Sequence, residues 1–272
     1  MALDKAPLGK HSEYPDKYSP DLLFPVPRDD NRRRIALADG RWPWFGEDLW
    51  QAWEISWLQP NGVPAVVWGV IRVPAASASL IESKSLKLYL NSLNQTVFST
   101  TDQVRELISR DLSSLVGAAV TVDLYSVDEA VAAVGRPEGY QLIDGEPVTS
   151  VDYQYRPELL QATGPRVTEQ LCSHLLKSNC PVTGQPDWGS LLIEYTGPQI
   201  ARPQLLQYVV GFRQQQDFHE HCVETVFTDI MARCQPEQLT VCARYTRRGG
   251  LDINPWRSTQ PGSAPLVRLV RQ

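Results

Sequence analysis

The order of strand and helix signals predicts an α+β fold in which one ββααββ-type module occurs twice. Three observations carry that expectation. A β-rich run at residues 64–74 gives way to two helical periodicities and then to an alternating segment ending at Leu124. The same succession returns between Leu191 and Tyr245. The 17 Gly and 21 Pro of the 272 residues punctuate the chain without making it low-complexity.

Residues 1–40 are rich in Pro, Asp and Arg, with Tyr14, Tyr18, Leu22, Leu23 and Phe24 scattered among them, and read as an irregular arm laid over a body. Trp42, Trp44, Trp50, Trp53 and Trp57 follow as a tight group and read as a packed aromatic cluster. Residues 64–74, bounded by prolines, form a strand. A helix is expected from Ser85 to about Leu93, with Leu86, Leu90 and Leu93 on one face and Ser83 or Ser85 as its cap. In the next, Thr100 and Gln103 have capping-box spacing, and Val104, Leu107, Ile108, Leu112 and Leu115 recur at helical intervals. Gly117 ends it, and Val120, Val122 and Leu124 alternate as a strand. In the second half, Leu191–Tyr195 is strand-like and Leu205–Phe212 helical. Phe218–Cys234 offers a face of Phe218, Val223, Val226, Phe227, Ile230 and Met231, and Leu239, Val241, Ala243 and Tyr245 alternate. The expected division is an arm over 1–40, a first module over 41–150 and a second over 151–272.

Hydrophobic residues make up 42% and charged residues 21%, the balance of a globular protein. A net charge of −5 argues against bulk nucleic-acid binding, which needs a basic surface, and points to small-molecule partners. No apolar run is long enough to span a membrane, and Met1–Lys10 lacks the apolar core of a secretory signal. The five cysteines, Cys172, Cys180, Cys222, Cys234 and Cys242, include no CxxC pair and fit neither a disulfide framework nor a zinc site. They read as reduced cytoplasmic thiols, most of them buried.

Three constellations could carry chemistry. Pro181, Gly184 and Pro186 exclude helix around Cys180, which therefore lies on a loop before a strand and is more accessible than a core cysteine. Asp187, at the strand's entrance, could return to face it as a proton donor or acceptor; a structural turn is the alternative. Asp217-Phe218-His219-Glu220-His221 opens a helix, where Asp217 or Glu220 could cap, or a carboxylate could grip a donor-rich heterocycle with His219 nearby. His219 and His221 do not share a helix face, which argues against zinc. Glu82-Ser83-Lys84-Ser85-Leu86-Lys87-Leu88-Tyr89 reads as a helix start with solvated lysines, or as a phosphate site.

That octet matches, without departure, the signature of the 7-cyano-7-deazaguanine reductases, nitrile-reducing relatives of GTP cyclohydrolase I. Residues 179–187 resemble the family's nucleophile loop and Phe218-His219-Glu220 its substrate-binding element. Arg248-Gly249-Gly250, Asp252-Ile253-Asn254-Pro255 and the arm's Leu22-Leu23-Phe24-Pro25 with Arg28 are also similar, so the resemblance covers nearly the whole chain. The Glu-Ser-Lys-Ser box lies in the first half, and the cysteine and Phe-His-Glu lie in the second, as in the long, two-module type. Gln95-Thr96-Val97-Phe98 stands where Phe-His-Glu would fall in the first half, and Tyr208–Arg213 where the box would continue in the second.

The resemblance implies two tandem tunnelling-fold modules, with antiparallel sheets and helices packed on one face, in a cytoplasmic homodimer. It implies reduction of the nitrile of 7-cyano-7-deazaguanine to the primary amine, in queuosine biosynthesis, with two NADPH and no metal. Cys180 would attack the nitrile to give a thioimide, and Asp187 would protonate the nitrogen. Ile81, Glu82, Ser83, Phe218, His219 and Glu220 would surround the deazapurine, and Ser83, Lys84, Arg248 and Gly249 would hold the cofactor. Lys87 is a weaker candidate for the cofactor. The absence of a GxGxxG fingerprint implies a scaffold other than a Rossmann fold. A cyclohydrolase-type hydrolase of the same fold, needing a metal-bound water, and a non-catalytic purine- or pterin-binding module are the alternatives.

Overall fold

A computed structural model describes residues 15, 17–35, 37, 42–129, 133–135 and 138–272; Tyr14 and the Met1–Lys10 segment lie outside them. The chain divides into two units. One comprises Met1–Ala38, Leu49–Val131 and Arg247–Asp252, the other Asp39–Asp48, Ala132–Thr246 and Ile253–Gln272.

The first unit contains β1 (Pro25–Pro27), α1 (Asp29–Arg34), most of β2 (Phe45–Leu58), β3 (Pro64–Pro74), β4 (Ser79–Ile81), α2 (Ser83–Ser92), α3 (Thr101–Val116) and β5 (Thr121–Ser126). β3 lies between β2 and β5 and pairs antiparallel with β5 from Val67↔Ser126 to Arg72↔Thr121. The α3 stripe Val104, Ile108, Leu112 and Val116 is fully buried, each about 1.5–3 kcal/mol of apolar burial. Thr100 Oγ1 caps α3 by accepting the Gln103 N–H at 3.2 Å, and Gly117 closes it at φ 70°. α3 packs against β4 and β5.

The second unit contains β6 (Ala133–Val134), β7 (Gln141–Leu142), β8 (Ala162–Ser173), β9 (Lys177–Asn179), β10 (Pro186–Ile200), α4 (Arg202–Gly211), α5 (His219–Cys234), β11 (Gln238–Tyr245), most of β12 (Leu251–Ser258) and β13 (Val267–Arg268). Strand order is β12–β11–β10–β8–β7, with β9 also on β10. Pairing is antiparallel at β8–β10–β11–β12 and at β9–β10, and parallel in the short β7–β8 and β6–β13 pairs. α5 packs on β11 and β10. Both units are thus α+β, with helices against antiparallel strands.

The repeat read from the order of elements is present at the level of atoms. α2 and α4 each have ten residues, and α3 and α5 each have sixteen. In the first unit, Asp111 Oδ2 accepts from Tyr18 and Tyr89 hydroxyls at 2.7 and 2.8 Å. In the second, Asp229 Oδ2 accepts from Tyr155 and Tyr208 at 2.8 and 2.6 Å. Tyr89 and Tyr208 hold the same position in their helices, as do Asp111 and Asp229. The outer tyrosines open matching hexapeptides, Tyr18-Ser-Pro-Asp-Leu-Leu23 and Tyr155-Arg-Pro-Glu-Leu-Leu160, each with a 3-10 turn at its centre. The next residue's carbonyl, Phe24 or Gln161, accepts from the N-cap amide of α2 or α4 at 3.0 or 2.9 Å.

This register corrects one alignment made from sequence. Thr100-Thr101-Asp102, not Gln95–Phe98, stands where Phe218-His219-Glu220 stands in the second unit. The tryptophans do not form one cluster. Trp50, Trp53 and Trp57 ride on β2, where Trp53 stacks on Trp68 at 5.1 Å, while Trp44, just ahead of the strand, lies edge-on against Phe227. The arm is partly regular, since β1 pairs with β4 and α1 follows. β8 has no counterpart in the reading from sequence, because its first half is exposed and lacks apolar alternation.

Candidate active site

β9 and β10 form a hairpin with Asn179 opposite Pro186 and Ser178 opposite Asp187. Side chains opposite each other in an antiparallel pair share a face. Asp187 therefore lies on the face of Ser178, two residues before Cys180. The connecting loop is tight. Cys180 N–H donates to Gln185 O at 2.8 Å, and Gly184 N–H to Cys180 O at 2.9 Å, with Gly184 at φ 68°. That closure buries the cysteine to 3% exposure, which corrects the expectation of an accessible loop thiol. All five cysteines are buried, and none is in a disulfide. Burial pushes the thiols of Cys222, Cys234 (to about 11) and Cys242 up, holding them protonated.

The same hairpin is fastened to the start of α5. Asn179 N–H donates to Gln215 O at 2.7 Å, and its carbonyl accepts from Asp217 N–H at 3.0 Å. The Asn179 side-chain amide also donates to Arg213 and Gln215 carbonyls, each at 3.3 Å, and Lys177 Nζ donates to Asn179 Oδ1 at 2.6 Å. The residue before the nucleophile candidate is thus locked to the segment before His219. Phe218 is the N-cap of α5 and makes no side-chain cap bond. Asp217 accepts instead from Phe218 N–H at 2.9 Å and lies 2.8 Å from His221 Nδ1. His219 turns the other way, its Nε2 3.3 Å from Asp187 Oδ2. His219, Glu220 and Asp187 are 5%, 2% and 3% exposed, and neither His219 nitrogen has a hydrogen-bond partner among the described residues, the approach to Asp187 being one of distance only. A thiol, a carboxylate–imidazole pair and a second buried carboxylate can add to an electrophile, move a proton and grip a donor edge.

The first unit holds the remaining candidates. Glu82, not Ser83 or Ser85, caps α2: its two carboxylate oxygens accept Lys84 and Ser85 N–H at 2.9 and 2.8 Å. The short serine side chain is turned inward instead, Ser85 Oγ donating to Glu82 O at 2.7 Å and accepting Phe24 N–H at 3.0 Å. Burial raises the Glu82 carboxyl above its ordinary range, against the lowering pull of those amides and of the Lys84 and Arg248 charges. Ile81 is buried in β4, opposite Pro25. Arg248 and Leu251 exchange backbone bonds at 2.8 and 3.2 Å across Gly249 and Gly250, whose φ of 60° and 84° make a two-residue turn open to glycine. A Cβ on Gly249 would meet Lys87 Cδ at 2.7 Å. Lys87, Asn91, Asn94, Gly249 and Gly250 line a cleft of about 180 Å³, with Glu54 at its side. Lys84 and Arg248, both near enough to Glu82 to act on its charge, suit the phosphates of a nucleotide cofactor.

Reading the sequence missed the groups around these residues. Trp188 is flanked by Lys177 and Arg213, whose cations lie 5.9 and 5.6 Å from its ring. Tyr245 stacks on His219 with ring centroids 3.9 Å apart. The alternation of 239–245 marks Tyr245 as a core residue, and nothing in it signals a neighbour so far along the chain.

Among the described residues, no group of three or more His, Cys, Asp or Glu is arranged to hold a metal, and no helix is long and apolar enough to cross a membrane. Residues 14–124 match the family described as "Nitrile reductase, 7-cyano-7-deazaguanine-reductase N-term", and residues 186–263 match "QueF-like protein". A Chromohalobacter salexigens protein called NADPH-dependent 7-cyano-7-deazaguanine reductase is 52% identical over 99% of this chain and 98% of its own. Proteins of the same name from Dechloromonas aromatica (98% and 95% covered) and Bordetella pertussis (all of both chains) are 52% and 50% identical. The solved apo structure of an archaeosine synthase QueF-like protein aligns with 36% of this chain and 95% of its own, at 17% identity and a TM-score of 0.30, too little to argue from.

Proposed function

This chain belongs to the NADPH-dependent 7-cyano-7-deazaguanine reductase family, and on that premise we propose that it reduces the substrate nitrile to the primary amine through a covalent thioimide on Cys180. It is an oxidoreductase acting on a nitrile, built from two tandem tunnelling-fold modules. The observation that carries the mechanism is the fastening of the 177–188 hairpin, which bears Cys180 and Asp187, to the segment that opens the helix of His219 and Glu220.

The chemistry follows from these side chains. Cys180 Sγ adds to the nitrile carbon, and one of the three C–N bonds becomes a lone pair on nitrogen. The thiol proton reaches that nitrogen through Asp187, so addition is balanced: a nitrile and a thiol become a neutral thioimide. His219, 3.3 Å from Asp187, steadies the carboxylate between giving and taking the proton. Glu220 accepts from the amide N–H and exocyclic amine of the deazapurine, and Phe218 covers the ring. Glu82, with one lone pair of each oxygen already used by α2, has the others for donors of a deazapurine, beside Ile81 and Ser83. Ser83, Lys84, Arg248 and Gly249 would hold NADPH, which would supply one hydride at each of two turns. Between the two reductions the C–S bond breaks, Cys180 returns as the thiol and an imine is left for the second hydride and a proton to complete the amine. The enzyme acts as a cytoplasmic homodimer in queuosine biosynthesis.

The test is intact mass of the protein mixed with 7-cyano-7-deazaguanine and no NADPH. An added mass of one substrate is expected, absent in Cys180→Ala. Turnover by Cys180→Ala at the native rate would overturn the covalent route.

A further inference from the structure

We propose that Tyr245, seated over Gly189, is a positioning residue that fixes the plane of the His219 imidazole for the addition step; this rests on the reading of Cys180, Asp187 and His219 given above. The two rings are 3.9 Å apart and within 11° of parallel. Tyr245 is fully buried at the end of β11, and the β10–β11 register sets it opposite Gly189. Gly189 is two residues beyond Asp187, so Asp187, Gly189 and Tyr245 share one face, the one under α5.

Gly189 has a reason to lack a side chain. A Cβ there would lie 3.1 and 3.2 Å from Cδ1 and Cε1 of Tyr245, closer than the ring tolerates without moving. The tyrosine therefore lies flat over bare backbone, and the imidazole lies flat on the tyrosine. Burial pushes the Tyr245 hydroxyl well above its ordinary range, so the ring is neutral and attracts the imidazole in either charge state. Its hydroxyl end lies beside Ser178 and Cys222.

A ring held on a flat face can slide but cannot tip. Tipping would carry Nε2 away from Asp187, and neither imidazole nitrogen has a hydrogen-bond partner among the described residues to resist it. Restraint of χ2 thus falls to the stack. Misplacement of a reacting group by about 1 Å can cost on the order of 100-fold in rate, and the addition step is where the Asp187–His219 pair handles a proton.

The rate of adduct formation with 7-cyano-7-deazaguanine, without NADPH, read by quenching and intact mass, tests this. Tyr245→Leu is expected to slow it about tenfold or more, while Tyr245→Phe, which keeps the stack, stays within about threefold. In a His219→Ala background, Tyr245→Leu is expected to add nothing, because its partner has gone. An equal loss in both backgrounds, or a Phe variant as slow as Leu, overturns the proposal. Gly189→Ala carries the same cycle if Tyr245→Leu does not fold. Failure of the unaltered protein to form any adduct would instead sink the covalent mechanism beneath it.

Discussion

The helix pair α2/α3 and the helix pair α4/α5 agree in length, in the Tyr–Asp–Tyr tie and in the bond from strap carbonyl to N-cap amide, yet they place their polar groups oppositely. At the N-cap of the shorter helix, Glu82 in one unit is Ala201 in the other. At the start of the longer helix, Thr100-Thr101-Asp102 is exposed where Phe218 is half-buried and His219 and Glu220 are buried. Five residues into the longer helix, Glu106 is a surface group and Glu224 is fully buried. Positions that packing requires are therefore shared, and positions that packing leaves free have diverged. Each unit has kept one of the two carboxylates proposed for the substrate.

The sharpest break in that comparison should come from the buried ion group. Arg257 Nη2 lies 2.9 Å from both Glu224 and Asp48, and all three are at most 1% exposed. Arg257→Met leaves two carboxylates buried without their cation, a loss of about 3–5 kcal/mol. The corresponding surface pair, Arg105 with Glu106, is open to solvent, and Arg105→Met should cost less than about 0.5 kcal/mol. Urea unfolding of both variants measures the contrast, and equal costs would refute it.

Next in size is the helix start. Glu220→Gln replaces a charged acceptor by a neutral one at the substrate, a loss of about 1.5–3 kcal/mol, or roughly 10- to 100-fold in kcat/KM. Asp102→Asn at the same helix position weakens an interaction with the helix dipole and an exposed pair with Arg105 at 3.1 Å, less than about 1 kcal/mol of stability, and leaves turnover unchanged. Steady-state kinetics on the two proteins decides; a loss of turnover in Asp102→Asn would contradict the assignment.

A smaller effect separates the ties by pH. Burial raises the Asp229 carboxyl above its ordinary 3.8, while the Tyr208 and Tyr155 hydroxyls hold it down. A raised folded pKa means that the folded state binds the proton more readily, so this group's contribution is greatest below about pH 3.8 and falls as pH rises through the folded value. Tyr208→Phe removes one restraint and moves that value higher. Its cost should therefore grow between pH 4 and pH 7, reaching about 1–2 kcal/mol at neutrality. A cost flat with pH would mean that the hydroxyl does not bond the ionised carboxylate.

What the sequence disclosed followed what periodicity encodes. The run 64–74 and helix α3 were legible because apolar spacing and a Thr–Gly pair of caps report local geometry directly. α5 was legible as a helix, but its buried first turn was not, since His219 and Glu220 are polar and that turn packs on distant strands, with His219 beside Asp187 of β10 and stacked on Tyr245 of β11. Cys180, Asp187 and Glu220 were singled out on residue type, loop context and resemblance. Tyr245, Gly189 and the capping role of Glu82 depend on strand register and backbone bonds, which no local pattern carries.

The smallest difference lies at the other end of the long helices and sets two familiar terms against each other. α3 ends on Gly117 at φ 70°, and α5 ends on Gln235 at φ 47°, in the same left-handed region. A residue with a Cβ costs about 1–2 kcal/mol there, so Gln235→Gly relieves strain. Glycine also widens the unfolded ensemble, which takes back about 0.4–1 kcal/mol. The first term is the larger, and Gln235→Gly should stabilise the protein by about 0.5 kcal/mol, with Gly117→Ala destabilising it by a similar margin. A shift of the urea midpoint in opposite directions at the two caps would show the same backbone demand met by different residues; a loss at both would mean that the Gln235 side chain contributes something its backbone conformation does not reveal.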